Sequence, residues 1–113
     1  MMQKGDFEDK VVVVTGASSG LGQAICIEIA RRGAEAIIIN YGSNLEGAEK
    51  TAREVERCGT VPIVVQGDVG AMADCEKIVS HASIYGRIDV LFNNAGITTF
   101  SPSHGDLKAV SGD

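Results

Sequence analysis

Residues 10–25 read KVVVVTGASSGLGQAI. Four consecutive valines, Val11 to Val14, run into a loop with glycines at 16, 20 and 22, and an apolar-periodic segment begins at once beyond it. A short continuous run of β-branched residues is what a strand buried on both faces needs, as in a parallel sheet. Leu21, Ala24, Ile25 and Ile29 then recur at helical spacing up to Gly33, a residue type favoured just past a helix end. The stretch therefore predicts strand, glycine turn and helix with almost nothing between them.

The alternation repeats downstream. A second strand is predicted over residues 36–40, AIIIN. From Asn44, a suitable N-cap, Leu45, Ala48, Ala52 and Val55 mark one helix face that ends near Gly59. The opposite face carries Glu46 with Lys50 and Glu49 with Arg53, spaced to pair across one turn on a solvated surface. The third strand, VPIVV over 61–65, has Pro62 near its start, which suits an outer position because proline cannot donate to a central ladder. A third helix follows with Met72, Cys75, Ile78, Val79 and Ala82 inward and Gly86 as its stop, and a fourth strand spans IDVLF, residues 88–92. Strands alternating with helices in this way predict an α/β, doubly wound parallel sheet of order 3-2-1-4 in a single domain over residues 1–113.

Composition excludes several classes. The net charge of −5 comes without a basic cluster, so no nucleic-acid partner is expected. No apolar run approaches the roughly 18 residues of a membrane helix, and the polar, acidic start MMQKGDFEDK does not resemble a signal peptide. The three widely spaced cysteines, Cys26, Cys58 and Cys75, predict buried thiols in a reducing compartment and a cytoplasmic location.

Parallel strands place their carboxyl ends on one side of the sheet, where ligands of such folds bind. The segments expected there are TGASSGLG, NYGSN, GDV and NNAG. Gly16 permits the sharp exit from strand 1, while Gly20 and Gly22 remove side chains so that backbone approaches an anion and helix packs on strand. The helix head offers unpaired N–H donors and a partial positive charge, and Ser18 and Ser19 add hydroxyls or a cap. The pattern is not a P-loop, since Gly22 is followed by Gln23 and not by Lys and Ser or Thr.

The spacing G-x-x-x-G-x-G, with GDV at 67–69 and NNAG at 93–96, resembles the short-chain dehydrogenase/reductase family over about residues 7–113. The resemblance implies a Rossmann-type NAD(P)(H) site. By the family pattern Thr15, Gly16, Ser18, Ser19, Gly20, Leu21 and Gly22 would wrap the pyrophosphate, with Leu21 giving a backbone N–H. Asp68 would accept from the adenine amino group and the backbone of Val69 would touch the ring. Asn94, Ala95 and Gly96 would line the adenosine ribose and the path to the nicotinamide, with Asn93 bracing the sheet.

Cofactor choice rests on the end of strand 2, which reads Asn40, Tyr41, Gly42, Ser43, Asn44 with no acid before Glu46. No carboxylate there repels the 2′-phosphate of NADP, and Ser43 and Asn44 can donate to it, but neither this segment nor the glycine loop holds a Lys or Arg. NADP is expected, with NAD possible.

The family's catalytic Tyr and Lys stand as Y-x-x-x-K. Here Tyr41 is followed four residues on by Leu45, and Tyr85 by Asp89. No catalytic residue is assigned, nor a metal, and His81 and His104 are expected at the surface. The chain is expected to be the N-terminal, cofactor-binding part of a longer oxidoreductase acting on a small carbonyl or alcohol, inactive alone and homo-oligomeric when complete. A non-catalytic dinucleotide-binding variant and a structural partner joined through the strand 4 edge are the alternatives.

Overall fold

The computed structural model describes residues 5–94. The elements follow as β1 (Val11–Val14), α1 (Gly20–Arg31), β2 (Ala36–Tyr41), α2 (Leu45–Arg57), β3 (Val61–Gln66), α3 (Met72–Ser80), a 3-10 turn (Ser83–Tyr85) and β4 (Val90–Phe92). One four-stranded parallel sheet has the order β3-β2-β1-β4. The predicted fold class and strand order are both observed, and Pro62 lies on the outer strand as expected.

The valine run is buried on both sides because successive side chains of a strand point to opposite faces. Val12 and Val14 join Ile37, Ile39, Cys26, Ile29, Ala48 and Val55 in the core under α1 and α2. Val11 and Val13 join Ile38, Val65, Ile78 and Ala82 in a smaller core under α3. The sheet is thus covered on one face by two helices and on the other by one.

Several details depart from the sequence expectation. The inward stripe of α1 is Gly22, Cys26, Ile29 and Ala30, so Leu21 points outward and is 67 % exposed. On α2 the stripe is Ala48, Thr51 and Val55, while Leu45 is largely exposed. On α3 only Ile78 is buried, and Met72 and Val79 face outward. That helix ends at Ser80, and Gly86, at φ +72°, closes the following 3-10 turn instead. β4 starts two residues later than expected, at Val90, and the Asp89 carboxylate just before it accepts the Val11 N–H at 2.8 Å.

The anticipated pairs Glu46–Lys50 and Glu49–Arg53 are not among the ion pairs of the described residues, which are Glu28 with Arg31 and Arg32, Glu54 with Arg57, and Arg87 with Glu35 and Asp89. Of the cysteines only Cys26 is buried. Cys58 is exposed beyond the end of α2, and Cys75 is half-buried. Among the described residues no helix is long and apolar enough to cross a membrane.

Candidate functional site

The order β3-β2-β1-β4 places a topological switch between β1 and β4: the chain leaves β1 for α1 on one face and reaches β4 from α3 on the other. A crevice opens at such a point beyond the strand ends. Thr15 stitches the two ends together. Its N–H donates to the Phe92 carbonyl at 3.0 Å, its hydroxyl donates to Asn93 Oδ1 at 3.0 Å, and the same hydroxyl oxygen accepts the Asn94 N–H at 2.9 Å.

The glycines of the loop divide the work between them. Gly16 turns the chain at φ +60°, donates its N–H to Asn40 Oδ1 at 3.2 Å and accepts at its carbonyl from Asn94 Nδ2 at 3.1 Å. Gly22 brings the head of α1 onto that carbonyl: a Cβ there would lie 2.1 Å from the Gly16 oxygen and 2.6 Å from Asn94 Nδ2. Gly20, at φ +56°, has no atom within 4 Å of where a Cβ would stand, so its backbone borders open space. Close packing therefore belongs to Gly22 and open exposure to Gly20.

Ser19 occupies the N-cap of α1 in extended conformation but makes no side-chain cap bond. The first N–H groups of a helix lack intrahelical partners, and Gln23 is the first here to find one, the Ser19 carbonyl at 3.3 Å. The N–H groups from Gly20 to Gly22 therefore sit at the positive end of the helix dipole, beside the exposed Ser19 and Gly20.

Asn40 and Tyr41 are not on the ligand-side surface. Asn40 is 2 % exposed, and its amide donates to the carbonyls of Val65 and Gly67 at 3.3 and 3.1 Å while accepting from Gly16. Tyr41 belongs to the core under α1 and α2. Ser43 is exposed beyond them. Asp68 is exposed in the loop after β3, where its Oδ1 accepts the Gly70 N–H at 2.9 Å, and its N–H donates to Asp74 Oδ2 at 2.8 Å. Val69 packs on the smaller core, and its carbonyl meets Cys75 Sγ at 3.2 Å. Burial, followed by the carboxylates of Asp74, Asp68 and Glu76, raises that thiol above its ordinary range and makes it a poor nucleophile at neutral pH. Ala95 and Gly96, like His104, lie outside the described residues. His81 is exposed on the C-terminal side of α3.

Two residues that sequence reasoning passed over complete the site. Gly47, in the first turn of α2, lets that turn press on the glycine loop, since a Cβ there would stand 2.1 Å from the Ser18 carbonyl. Thr51, fully buried, directs its hydroxyl to the Ala17 carbonyl at 2.8 Å and accepts from Gln23 Nε2 at 2.9 Å. A glycine inside a helix start and a threonine on an apolar stripe were the available signals. Together these contacts leave an open cleft of about 400 Å³ between the heads of α1 and α2, bordered by Ser18, Ser19, Gly20 and Asn44. No group of three or more His, Cys, Asp or Glu among the described residues could hold a metal.

The profile of the short chain dehydrogenase family matches residues 10–110. A short-chain dehydrogenase/reductase of Pestalotiopsis microspora is 35 % identical over 94 residues, covering 82 % of this chain and 35 % of its own length. Among solved structures, a Burkholderia cenocepacia protein crystallised with bound NADP superposes with a TM-score of 0.74 at 32 % identity, over 80 % of this chain and 36 % of that one. An acetoin dehydrogenase from Enterobacter cloacae superposes with a TM-score of 0.72 at 35 % identity, over 83 % of this chain and 37 % of that one. The chain thus spans little more than a third of the length of these relatives.

Proposed function

The chain belongs to the short chain dehydrogenase family, and from that premise we propose that residues 1–113 are the dinucleotide-binding domain of an oxidoreductase that interconverts a small carbonyl and an alcohol, with NADP(H) preferred over NAD(H). The observation that carries the proposal is the seating of the α1 head. Gly22 lies against the Gly16 carbonyl and Asn94, and the backbone at Gly20 borders open space. That arrangement fits a pyrophosphate, because amide donors and a positive helix end face a volume that no side chain fills.

When bound, the nicotinamide supplies or takes up the hydride. The residues of the chain hold and orient. The N–H groups of Gly20, Leu21 and Gly22 and the hydroxyls of Ser18 and Ser19 receive the pyrophosphate. Asp68 keeps an oxygen for the adenine amino group beside its turn to Gly70, and Val69 offers backbone. Thr15 belongs with the loop that wraps the pyrophosphate, and Asn94, with Ala95 and Gly96 outside the described residues, would line the ribose and the route to the nicotinamide. Asn40 and Tyr41 act through backbone and packing, fixing the end of β2 so that Ser43 meets the ligand.

The NADP preference is supported by the absence of any carboxylate from residue 40 to 45 and by the relative solved with NADP. The whole protein is a cytoplasmic homo-oligomer in this proposal, and the 113-residue chain, lacking Y-x-x-x-K, binds cofactor without turning it over. Because the chain has no tryptophan, NADPH fluorescence gives a clean titration. Saturable enhancement by NADPH, weaker binding of NADH and no oxidation of NADPH by a test ketone are expected. Absence of saturation with either dinucleotide would overturn the proposal.

A further inference from the structure

The cleft between the heads of α1 and α2 has two cations in its wall, Lys50 and Arg53. They lie one and two turns beyond the start of α2, outside the glycine loop and the end of β2. Neither takes part in any ion pair among the described residues, although Glu46 and Glu49 stand four residues before them. Arg57, on the same helix, is paired with Glu54 at 2.9 Å. On α2, the two cations that line the cleft are therefore the ones without an ion pair among the described residues.

The remaining lining agrees with an anionic occupant. Ser18, Ser19, Gln23 and Asn44 present hydroxyls and amides, and the one acid is Glu46. Two positive side chains against one negative leave a net positive wall, with the positive ends of two helix dipoles converging on it. The convergence is close: Gly47 at the head of α2 leaves no room for a Cβ beneath the Ser18 carbonyl. The same cleft includes Ser18, Ser19 and Gly20, which the dinucleotide proposal already uses.

We propose that Lys50 and Arg53 are specificity-determining residues of the cofactor site, holding the phosphate monoester that distinguishes NADP from NAD. The inference rests on the dinucleotide proposal above. A phosphate monoester carries close to two negative charges at neutral pH, and neutral donors alone at Ser43 and Asn44 would not offset its desolvation. Lys50 and Arg53 supply from the helix the charge that the glycine loop and the end of β2 lack. Glu46 opposes them and moderates the preference.

Isothermal titration of the 113-residue chain with NADP⁺ and NAD⁺ tests this. Wild type should bind NADP⁺ more tightly, and the margin should shrink as salt rises, because exposed charges are screened. The Lys50→Gln/Arg53→Gln double variant should lose roughly tenfold or more in NADP⁺ affinity while NAD⁺ affinity changes less than twofold, as expected for two charge-assisted contacts to one phosphate. Lys50→Arg should keep the preference, and Glu46→Gln should tighten NADP⁺ binding roughly two- to threefold. All positions are exposed, so an unchanged circular-dichroism melt certifies folding. If wild type prefers NADP⁺ and the double variant keeps the full preference, or loses both cofactors equally, the assignment of these two residues is wrong and the dinucleotide proposal stands. If wild type binds neither cofactor, both fall before any substitution is made; if it prefers NAD⁺, the NADP preference and the role given to these two residues fall while dinucleotide binding stands.

Discussion

The side-chain amide of Asn94 donates to the carbonyl oxygen of Gly16 at 3.1 Å, joining residues 78 positions apart. The bond ties the loop after β1 to the end of β4, and Gly22 covers it from the side of α1.

Gly22→Ala is therefore expected to damage both stability and binding. The added methyl would meet the Gly16 oxygen at 2.1 Å and Asn94 Nδ2 at 2.6 Å, and backbone cannot step aside as a flexible side chain can. Overpacking of this kind costs about 1–3 kcal/mol. Urea unfolding should show the loss, and NADPH titration should show weaker binding even where the variant is fully folded. Gly20→Ala is the informative contrast. It meets open space and pays only for its φ of +56°, so its stability loss should be the smaller of the two.

Thr51→Val should loosen the glycine loop from beneath. The hydroxyl is buried, donates to the Ala17 carbonyl and accepts from Gln23. The nearly isosteric valine leaves those groups without their partner at a cost of about 1–3 kcal/mol. NADP⁺ and NAD⁺ affinities should fall by the same factor, because Thr51 positions backbone common to both. Thr51→Ser should restore them. A change confined to NADP⁺ would mean that Thr51 acts on charge discrimination and not on loop position.

The fold was legible because its strands are short continuous apolar runs ended by glycine or asparagine, and four such runs separated by helical periods admit few topologies. Val11–Val14 and the edge position of Pro62 needed nothing more. Helix faces were harder. Leu21 fits the apolar period of α1 as well as Cys26 does, and only the direction in which β1 lies selects Cys26. Leu21, Ile25 and Phe92 border an apolar groove on that flank, so the sequence shows two apolar faces merged into one broad stripe. The site was legible as far as glycine conformation reaches. Asn40 was visible as a polar residue closing a strand, but whether its amide faced ligand or backbone depended on the Val65 and Gly67 carbonyls, which tertiary pairing alone brings near. Lys50 and Arg53 were masked for a similar reason. Their spacing from Glu46 and Glu49 satisfies the rule for surface pairs, and the cleft they line is formed in part by another helix.

The cysteines should react in the order Cys58, Cys75, Cys26. Cys58 is exposed, Cys75 half-buried and raised by burial and acidic neighbours, and burial pushes the Cys26 thiol up to about 12 from 9.0. Thiol titration at pH 8 should label Cys58 first and Cys26 only on unfolding. A thiol raised in the folded state contributes stability that is complete below its unfolded value and disappears as pH rises. Stability should therefore decline between about pH 9 and 12. Cys26→Ala should weaken that alkaline decline, and rapid labelling of Cys26 in the folded chain would contradict its burial.

The last prediction concerns acid. The Asp89 carboxylate accepts the Val11 N–H at 2.8 Å and Arg87 Nε at 2.9 Å, and Arg87 also reaches Glu35 at 3.1 Å and the Asp9 carbonyl. The Val11 N–H first, and then the Arg87 guanidinium, hold Asp89 below the ordinary carboxylate value of 3.8. A carboxylate lowered on folding contributes stability above its unfolded value and loses it as pH falls through the folded one. The loss should thus begin near pH 3.8 and continue below it. Asp89→Asn keeps an oxygen for the Val11 N–H but has no charge to lose. Urea midpoints of the two proteins should differ at pH 7, with wild type the more stable, and should converge as pH drops below 3.8. A gap that stayed constant to acid pH would mean that Asp89 holds the start of β1 by shape alone, with its charge making no contribution to joining β4 to the centre of the sheet.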